Sequence, residues 1–536
     1  MKSYVVAVFL CVRAKYGHVF YYIWSILLIS MLFSKRWISF IPWLVILVIA
    51  IVGTFYRVGL DLWNDELYTL DKFTLVPIRT VLYDYHVPNN HILYNLFNHF
   101  VLNLFDVSNL KSLLSDPWIL RVVSGVYSTI SVVAIFFIAK EKWDKRTAIL
   151  TVVFLLSSWP FMNYAFQIRG YALSSCLLSL LVLVLYRFDR SNSKYLSFAS
   201  IVALSFALIV TVPLNLYVLL VIGLFFGGRV LFSWYKTKQL LSENHRSDLI
   251  LATAILLGAL AALMFYVPIF SEVFFNEYTV SQHLFHPHTL EVFFHFLIQY
   301  LSNKWILLLV FVFGISMLKI RSFEPDKRKD IVLLLLLCFG PFVISFVRGD
   351  WPPSRSFVTL MPYFSLLLAV CSITVLKLFV ASEKLKSNIV AVLSLYCGIV
   401  FVIDIEKSEQ MSQYNLMRGK RMHDLNANFF QTDYTPFDQA KLLEKHNQAN
   451  LPVILESTEE YGFKYYLDDI GMRYIRPENT DSVLKEIRGD YYIVSRRPFQ
   501  VIKSLGVMPD KTVEILSDKV NFHTILLVKG QKKDAD

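Results

Sequence analysis

The feature that most constrains the fold of this chain is a series of apolar runs, each long enough to cross a bilayer as a helix. About 20 apolar residues span the roughly 30 Å of membrane hydrocarbon, and helices are the expected spanning element because each satisfies its own backbone hydrogen bonds. We therefore expect a polytopic α-helical membrane protein with about 11–12 transmembrane helices. The predicted spans cover residues 38–58, 117–139, 146–163, 171–187, 195–212, 214–234, 248–269, 304–319, 330–347, 355–376 and 388–404.

The distribution of charge predicts an orientation. Only 17% of the 536 residues are charged, against about 25% in ordinary soluble domains. Between residues 117 and 404, most basic residues lie in alternate links between the apolar runs, at 140–146, 187–194, 235–247, 319–330 and 377–386. By the positive-inside rule these links face the cytoplasm of a plasma (inner) membrane, and loops 59–116, 164–170, 271–303 and 348–354 and the C-terminal tail lie outside. The net charge of +11 therefore follows membrane topology, and nucleic acid is not an expected partner.

The sequence predicts three segments. Residues 1–37 form an N-terminal extension with at most one short membrane helix near 19–33, unless the natural start is Met31, and no convincing cleavage site follows it. Residues 38–404 form the transmembrane domain. Residues 405–536 form a small soluble α/β domain, with strands at 452–456, 490–495, 513–516 and 524–528 and helices near 436–447 and 480–488. This domain carries no glycine-rich nucleotide motif.

The first outer loop, 59–116, holds the most informative polar residues. Asp65 and Glu66 are adjacent carboxylates just past a span, with Trp63 and Tyr68 beside them. A carboxylate there can act as general base on an acceptor hydroxyl or amine, and the aromatic rings suit the faces of a sugar. The alternative is a solvated loop with interfacial Trp and Tyr anchors.

A second polar stretch follows at residues 85–95. After Pro88 the apolar spacing predicts an amphipathic helix along the outer interface. The candidate substrate-binding residues of this stretch are His86, Asn90, His91 and Tyr94. The alternative is that the histidines ligate a metal, but neither HExxH nor comparable spacing is present. The five cysteines also lack metal-ligand spacing, so no metal cofactor is expected.

Three arginines in later outer loops are candidates for binding a donor phosphate. Arg169, followed by Tyr171 as a further substrate-binding candidate, lies where an unpaired charge is costly, so a functional partner is expected unless it snorkels to the headgroups. Arg348 and Arg355 can hold a phosphate as a fork, or Arg348 can pair with Asp350. Loop 271–303, with its four histidines, is a candidate cap over an acceptor site.

The order of these motifs resembles the GT-C superfamily of membrane glycosyltransferases. The matching features are Asp65-Glu66, the Pro-Asn-Asn-His-Ile-Leu-Tyr stretch at 88–94, Arg121 opening a span, Arg169-Gly170-Tyr171, and Arg355 ahead of Leu360-Met361-Pro362. The resemblance is to the dolichyl-phosphate-mannose–protein mannosyltransferase-like group, which includes bacterial enzymes such as the aminoarabinose transferase acting on lipid A. It covers roughly residues 38–404.

The resemblance implies an inverting transfer of a sugar from a polyprenyl-phosphate donor to a lipid, glycan or protein acceptor outside the membrane. Within it, Asp65 corresponds to the catalytic base, with Glu66 beside it, and Arg169 to a residue that steadies the site or the donor phosphate. Residues 89–94 depart from the Pro-Pro-Leu-Tyr of many relatives, which leaves the acceptor open. The alternatives are a transporter or flippase of lipid-linked glycans, which would favour charges at mid-membrane, and an inactive or polymerase-like glycan protein.

Overall fold

The chain is a helical membrane protein with a small α/β domain, as expected. The computed structural model describes residues 40–58, 61–115, 117–237, 243–275, 285, 290, 292–294, 296–297, 324–350, 352, 354–417, 436–456, 463–476, 489–495, 511–516 and 524–530. Within these residues, eight helices are long and apolar enough to cross a membrane. A bent helix pair and the helix Ile41–Val58 add to them. The predicted span 304–319 and the extension 1–37 lie outside the described residues.

The described helices are numbered in chain order. They are α1 (Ile41–Val58), α2 (Asn64–Thr69), α3 (Ile78–Tyr83), α4 (Ile92–Leu104), α5 (Leu110–Ser115), α6 (Trp118–Lys142), α7 (Lys145–Leu156), α8 (Trp159–Phe166), α9 (Tyr171–Arg187), α10 (Lys194–Thr211), α11 (Asn215–Thr237), α12 (Glu243–Tyr266), α13 (Phe270–Phe274), α14 (Pro325–Arg348), α15 (Met361–Phe379), α16 (Glu383–Met417), α17 (Pro436–His446) and α18 (Phe463–Asp469).

The predicted span 146–163 differs from a straight helix. It consists of α7 and α8, which meet at an angle of 75°. Pro160 lies at the start of α8, and proline cannot donate the backbone hydrogen bond that would continue the preceding helix. The chain therefore turns at Ser157–Ser158, and α8 runs towards the loop that carries Arg169.

Two spans lie at the centre of the bundle. The segments Tyr171–Arg190 and Arg355–Phe379 are 67% and 83% buried, whereas the other spans are 33–44% buried and face outwards. Tyr171 follows Arg169 by two residues, and Arg355 opens the other central span. Both candidate arginines are therefore at the same end of the central pair, which we call the site end.

The opposite end of the bundle, the basic end, collects the Lys- and Arg-rich links. Arg146 pairs with Glu383 at 2.5 Å and Lys377 with Asp144 at 2.7 Å. Helix α6 joins the two ends, because Arg121 near its start contacts the first loop and Lys142 at its end lies 3.6 Å from Asp330. At 1.5 Å per residue these two positions are about 30 Å apart, the thickness of membrane hydrocarbon.

The interfacial helix predicted after Pro88 is α4. Its exposed side chains include Phe97, Phe100 and Leu104, while Asn95 and Asn98 are buried against the protein. The apolar stripe thus faces outwards, where lipid would cover it.

The C-terminal residues form a four-stranded sheet. Its strands are β1 (Val453–Leu455), β2 (Tyr491–Ser495), β3 (Lys511–Ile515) and β4 (Thr524–Gly530), in the order β1-β2-β4-β3. β1 and β2 are parallel, and the other two pairings are antiparallel. All four strands lie where the sequence predicted them, as does α17. Predicted helix 480–488 lies outside the described residues, and α18 was not predicted.

Candidate active site

Helix α2 presents the two adjacent carboxylates to different surroundings. Successive residues of a helix point about 100° apart, so Asp65 and Glu66 cannot share one environment. Glu66 folds back and accepts a hydrogen bond from the Trp63 N–H at 2.9 Å, as an acidic residue in the first helical turn commonly does. Asp65 points towards the centre of the bundle.

Asp65 lies between the two arginines at the start of the central spans. Its Oδ2 is 3.2 Å from Nη1 of Arg169 and 3.3 Å from Nη2 of Arg355. For both arginines, this same oxygen makes the shortest contact. Two guanidinium groups against one carboxylate leave one positive charge in excess. The side chain of Asp65 is 20% exposed, whereas that of Arg169 is 1% exposed.

Glu66 is fully engaged in the protein interior. It pairs with Arg121 at 3.0 Å, and both side chains are buried. Its Oε1 accepts a hydrogen bond from the Ile168 N–H at 2.7 Å, and Arg121 also donates to the Asp61 carbonyl at 2.8 Å. Both oxygens of Glu66 accept hydrogen bonds. The bond from Ile168 connects the first loop to the segment that carries Arg169.

His91 and Tyr171 surround the Arg169 guanidinium. Nη2 of Arg169 lies 3.4 Å from Nε2 of His91 and donates to Oδ1 of Asn89 at 3.1 Å. The His91 and Tyr171 rings meet edge to face at 5.0 Å, and the guanidinium lies 5.6 Å from the Tyr171 ring centre. Burial and the neighbouring Arg169 and Arg355 lower the pKa of His91 well below its usual value. His91 is therefore neutral, and Nε2 is its acceptor nitrogen, since arginine only donates.

Gly170 permits this close packing. A Cβ atom at position 170 would lie 2.4 Å from Nδ1 of His91 and 2.8 Å from its Cβ. The glycine of the Arg-Gly-Tyr segment is thus required by the approach of the His91 ring rather than by an unusual backbone angle.

Trp63 lies beside Arg355. Its ring centre is 5.8 Å from the Arg355 guanidinium, within the range of a cation–π contact. Several buried nitrogen atoms of this region have no hydrogen-bond partner in the part of the chain that the structure describes. They include Nε1 of Trp63, Nε of Arg169, Nε of Arg355 and Nδ1 of His91.

Two candidate substrate-binding residues form hydrogen bonds within the protein. Asn90 is buried, donates to the carbonyls of Val81 and Asp84, and accepts from Asn95. Tyr94 is buried at the contact between α4 and α6, where its hydroxyl lies 2.7 Å from that of Ser124. These contacts hold the first loop together, and neither side chain faces the Asp65 carboxylate through any described contact.

Tyr68 and His86 form a separate, exposed chain. The Tyr68 hydroxyl is 2.7 Å from Nε2 of His86, and Nδ1 of His86 is 2.5 Å from Oδ1 of Asp84. Tyr68 is three residues after Asp65 on α2, so both belong to one face of that helix.

Arg348 belongs to a different cluster from Arg355. It pairs with Asp350 at 3.5 Å, donates to the Tyr217 hydroxyl at 3.0 Å and to the Phe274 carbonyl at 2.5 Å. The predicted alternative of an Arg348–Asp350 salt bridge is thus present. This cluster lines a cavity of about 90 Å³ whose other walls include Tyr85 and Ser356.

The sequence did not assign a partner to Arg121 or a role to Asn89, and both contact the site residues. Arg121 opens α6, and an arginine at the start of a span signals a buried partner. Asn89 precedes Asn90 in the same motif, so sequence could not distinguish the amide that contacts Arg169 from the one that braces the loop.

The histidines of the first loop have three different surroundings. His86 contacts Asp84, His91 contacts Arg169, and Nδ1 of His99 lies 2.9 Å from the Thr74 carbonyl oxygen. Among the described residues, His, Cys, Asp and Glu form no group of three that could hold a metal. The histidines of the loop at 271–303 lie outside the described residues.

Comparison with known proteins gives structural similarities only. No family model and no curated protein matches the chain. ArnT from Cupriavidus metallidurans bound to undecaprenyl phosphate is similar, with 12% identity over 92% of this chain and 98% of ArnT, and a TM-score of 0.48. The oligosaccharyltransferase of Archaeoglobus fulgidus has 10% identity over 85% of this chain and 69% of its own, with a TM-score of 0.41. The oligosaccharyltransferase AglB from the same organism, in complex with an inhibitory peptide and a dolichol-phosphate, is also similar. It has 11% identity over 85% of this chain and 69% of its own, with a TM-score of 0.38.

At these identities and TM-scores, no inference about the chemistry of this chain follows from the similarity.

Proposed function

We propose that this protein is a membrane glycosyltransferase that moves a sugar from a polyprenyl-phosphate carrier to an acceptor on the extracytoplasmic side of the plasma membrane. The observation that carries the proposal is the position of Asp65 between Arg169 and Arg355, at the mouth of the two central spans. A base and two cations at one point match the two demands of the reaction.

The first demand is stabilisation of the leaving group. As the bond between the anomeric carbon and the phosphate oxygen breaks, its electron pair leaves with the carrier phosphate. Fixed positive charge aimed at that oxygen lowers the barrier. The excess positive charge at Arg169 and Arg355 serves this purpose, and the unpartnered Nε atoms of both residues offer donors to an anion. Buried donors without partners are exceptional in folded proteins.

The second demand is removal of the acceptor proton. We assign this to Oδ1 of Asp65, because Oδ2 is the oxygen nearest to both arginines. The acceptor oxygen forms its bond to the anomeric carbon while its proton passes to Oδ1. Attack opposite the departing phosphate inverts the configuration of that carbon. Glu66, held by Arg121, positions α2 and takes no proton in this scheme.

The topology supports an extracytoplasmic site. Asp65 lies at the site end of the bundle, about 30 Å from the basic end. The basic end holds the salt bridges Arg146–Glu383 and Lys377–Asp144. Basic links favour the cytoplasm. The site end then faces outwards, together with the C-terminal domain that packs on it.

The test compares wild type, Asp65→Asn and Asp71→Asn in membranes supplied with a radiolabelled polyprenyl-phosphate sugar. Asp71 is the matched control, because it lies in the same loop and pairs with its neighbour Lys72 at 2.9 Å. General-base catalysis contributes about 10²–10⁴-fold, so Asp65→Asn should lower transfer at least a hundredfold while Asp71→Asn stays within about twofold of wild type. Mass spectrometry of envelope glycans with and without the protein identifies the sugar and acceptor.

Undiminished transfer by Asp65→Asn would remove Asp65 as the base. Movement of the labelled glycan across the membrane by wild type, with no transfer to any acceptor, would replace the proposal with the transporter alternative.

A further inference from the structure

The C-terminal domain and the first loop share one hydrophobic core. Leu62 and Leu67 of the first loop are fully buried with Phe463 and Leu467 of α18. Strand residues of the sheet, including Val453 and Ile525, complete the same cluster. The domain is therefore packed onto α2 and the segment that precedes it.

Two hydrogen bonds cross this contact at adjacent residues of the first loop. The buried Tyr466 hydroxyl donates to the Leu62 carbonyl at 2.9 Å. The Phe437 N–H donates to Oδ2 of Asp61, also at 2.9 Å. An exposed salt bridge between Lys111 and Asp469 at 3.2 Å adds a third connection. The domain thus holds the chain two and three residues before Asn64, where α2 begins.

These bonds lie next to the contacts that orient Asp65. Arg121 donates to the Asp61 carbonyl and to Glu66. Glu66 in turn accepts from the Trp63 N–H. A short chain of contacts therefore runs from Tyr466 through Leu62 and Trp63 into α2.

We propose that Tyr466, Phe437 and the domain that carries them are positioning elements for Asp65. Tyr466 acts by fixing the start of α2, through its hydrogen bond to the Leu62 carbonyl. This inference rests on the proposed function, because it assigns Asp65 a reaction to perform. On this inference, turnover depends on the C-terminal domain.

The experiment uses the full-length protein and two matched tyrosine variants. Tyr466→Phe removes the hydroxyl that reaches the first loop. Tyr492→Phe removes a hydroxyl of the same domain that donates to the His446 carbonyl at 3.1 Å and makes no contact outside the domain in the described structure. Turnover and KM are measured with a radiolabelled polyprenyl-phosphate sugar, affinity with sugar-free polyprenyl phosphate, and stability by thermal unfolding.

Small displacements of a catalytic group cost up to about a hundredfold in rate, so Tyr466→Phe should lower kcat about tenfold or more. Its KM and its affinity for polyprenyl phosphate should stay within about threefold of wild type. Tyr492→Phe should keep the wild-type kcat even where its unfolding temperature falls as much. If the role of Tyr466 were purely structural, both variants would unfold at a lower temperature and both would keep the wild-type kcat.

Asp61→Ala provides a second variant from the other side of the contact. It should lower kcat as Tyr466→Phe does, and the double variant should lose less than the product of the two single losses. Wild-type kcat in Tyr466→Phe or in Asp61→Ala would overturn the inference while leaving the proposed function intact. Absence of transfer by the wild-type protein would instead remove the proposed function.

Discussion

Arg169 is almost completely buried, and its guanidinium lies 3.2 Å from the carboxylate of Asp65, which is 20% exposed. Arg169 therefore lies in the protein interior, and its partner Asp65 is partly exposed. Burying a guanidinium costs free energy unless it is paired, so a carboxylate at position 65 stabilises the folded protein. Asp65 is held in place by the same charge that a donor phosphate would need.

Replacing Glu66 tests whether the two neighbouring carboxylates have different roles. Glu66→Gln leaves the buried Arg121 without its counter-charge, and removal of one partner of a buried pair costs about 3–5 kcal/mol. We expect a marked fall in the thermal unfolding temperature, with a loss of turnover in the folded fraction far smaller than that of Asp65→Asn, because Glu66 positions α2 and takes no proton. Asp65→Asn should also lower the unfolding temperature, because it leaves the buried Arg169 without a counter-charge, but its turnover should fall at least about a hundredfold.

A double-mutant cycle provides the control for Glu66. In an Arg121→Gln background, the further change Glu66→Gln should destabilise much less than it does alone, because no buried charge is left unpaired. Equal destabilisation in both backgrounds would show that Arg121 is not the partner that matters.

Replacing arginine by lysine tests which arginine holds the donor phosphate. Arg355→Lys keeps the charge but loses the planar fork and the contact with Trp63. Hydrogen bonds to charged groups contribute about 1.5–3 kcal/mol, so the KM for the donor should rise at least about tenfold. Arg348→Lys should change it less than about threefold, because Arg348 is engaged by Asp350 and Tyr217. The opposite ranking, measured in the same transfer assay, would place the phosphate in the Arg348 cluster.

The sequence predicted the spans well because the thickness of the membrane sets their length. It also predicted that Asp65 and Arg355 belong to one site end, since charge alternation orders the loops. It could not predict their contact, because 290 positions separate them and the meeting depends on how the central spans pack. It also could not tell that Asn90 braces the loop, since an amide in a polar motif looks the same whether it contacts substrate or backbone.

The neutral state of His91 predicts a dependence of stability on pH. Burial and Arg169 lower the pKa of His91 in the folded protein, whereas an exposed histidine in the unfolded chain titrates near 6.5. Below that pH the unfolded state binds a proton that the folded state does not, so stability falls as the pH drops below about 6.5 and is level above it. The unfolding temperature of wild type should therefore fall more steeply between pH 6.5 and 5 than that of His91→Asn. Parallel curves would show that His91 titrates normally when folded.

Gly170 offers the sharpest test of the geometry around Arg169. In Gly170→Ala the new Cβ would lie 2.4 Å from Nδ1 of His91, so the ring and the guanidinium beside it must shift. We expect transfer to fall at least about tenfold, since small displacements at a reacting centre are costly.

Two further variants separate this clash from a general cost of alanine. Gly228→Ala on α11 meets no atom within 4 Å and should leave transfer unchanged. Replacing His91 by glycine removes both the ring and its Cβ atom, so Gly170→Ala combined with His91→Gly should transfer no more slowly than His91→Gly alone. Additive losses in that pair would mean that Gly170 acts through some contact other than the His91 side chain, and the packing that holds Arg169 against Asp65 would need a different explanation.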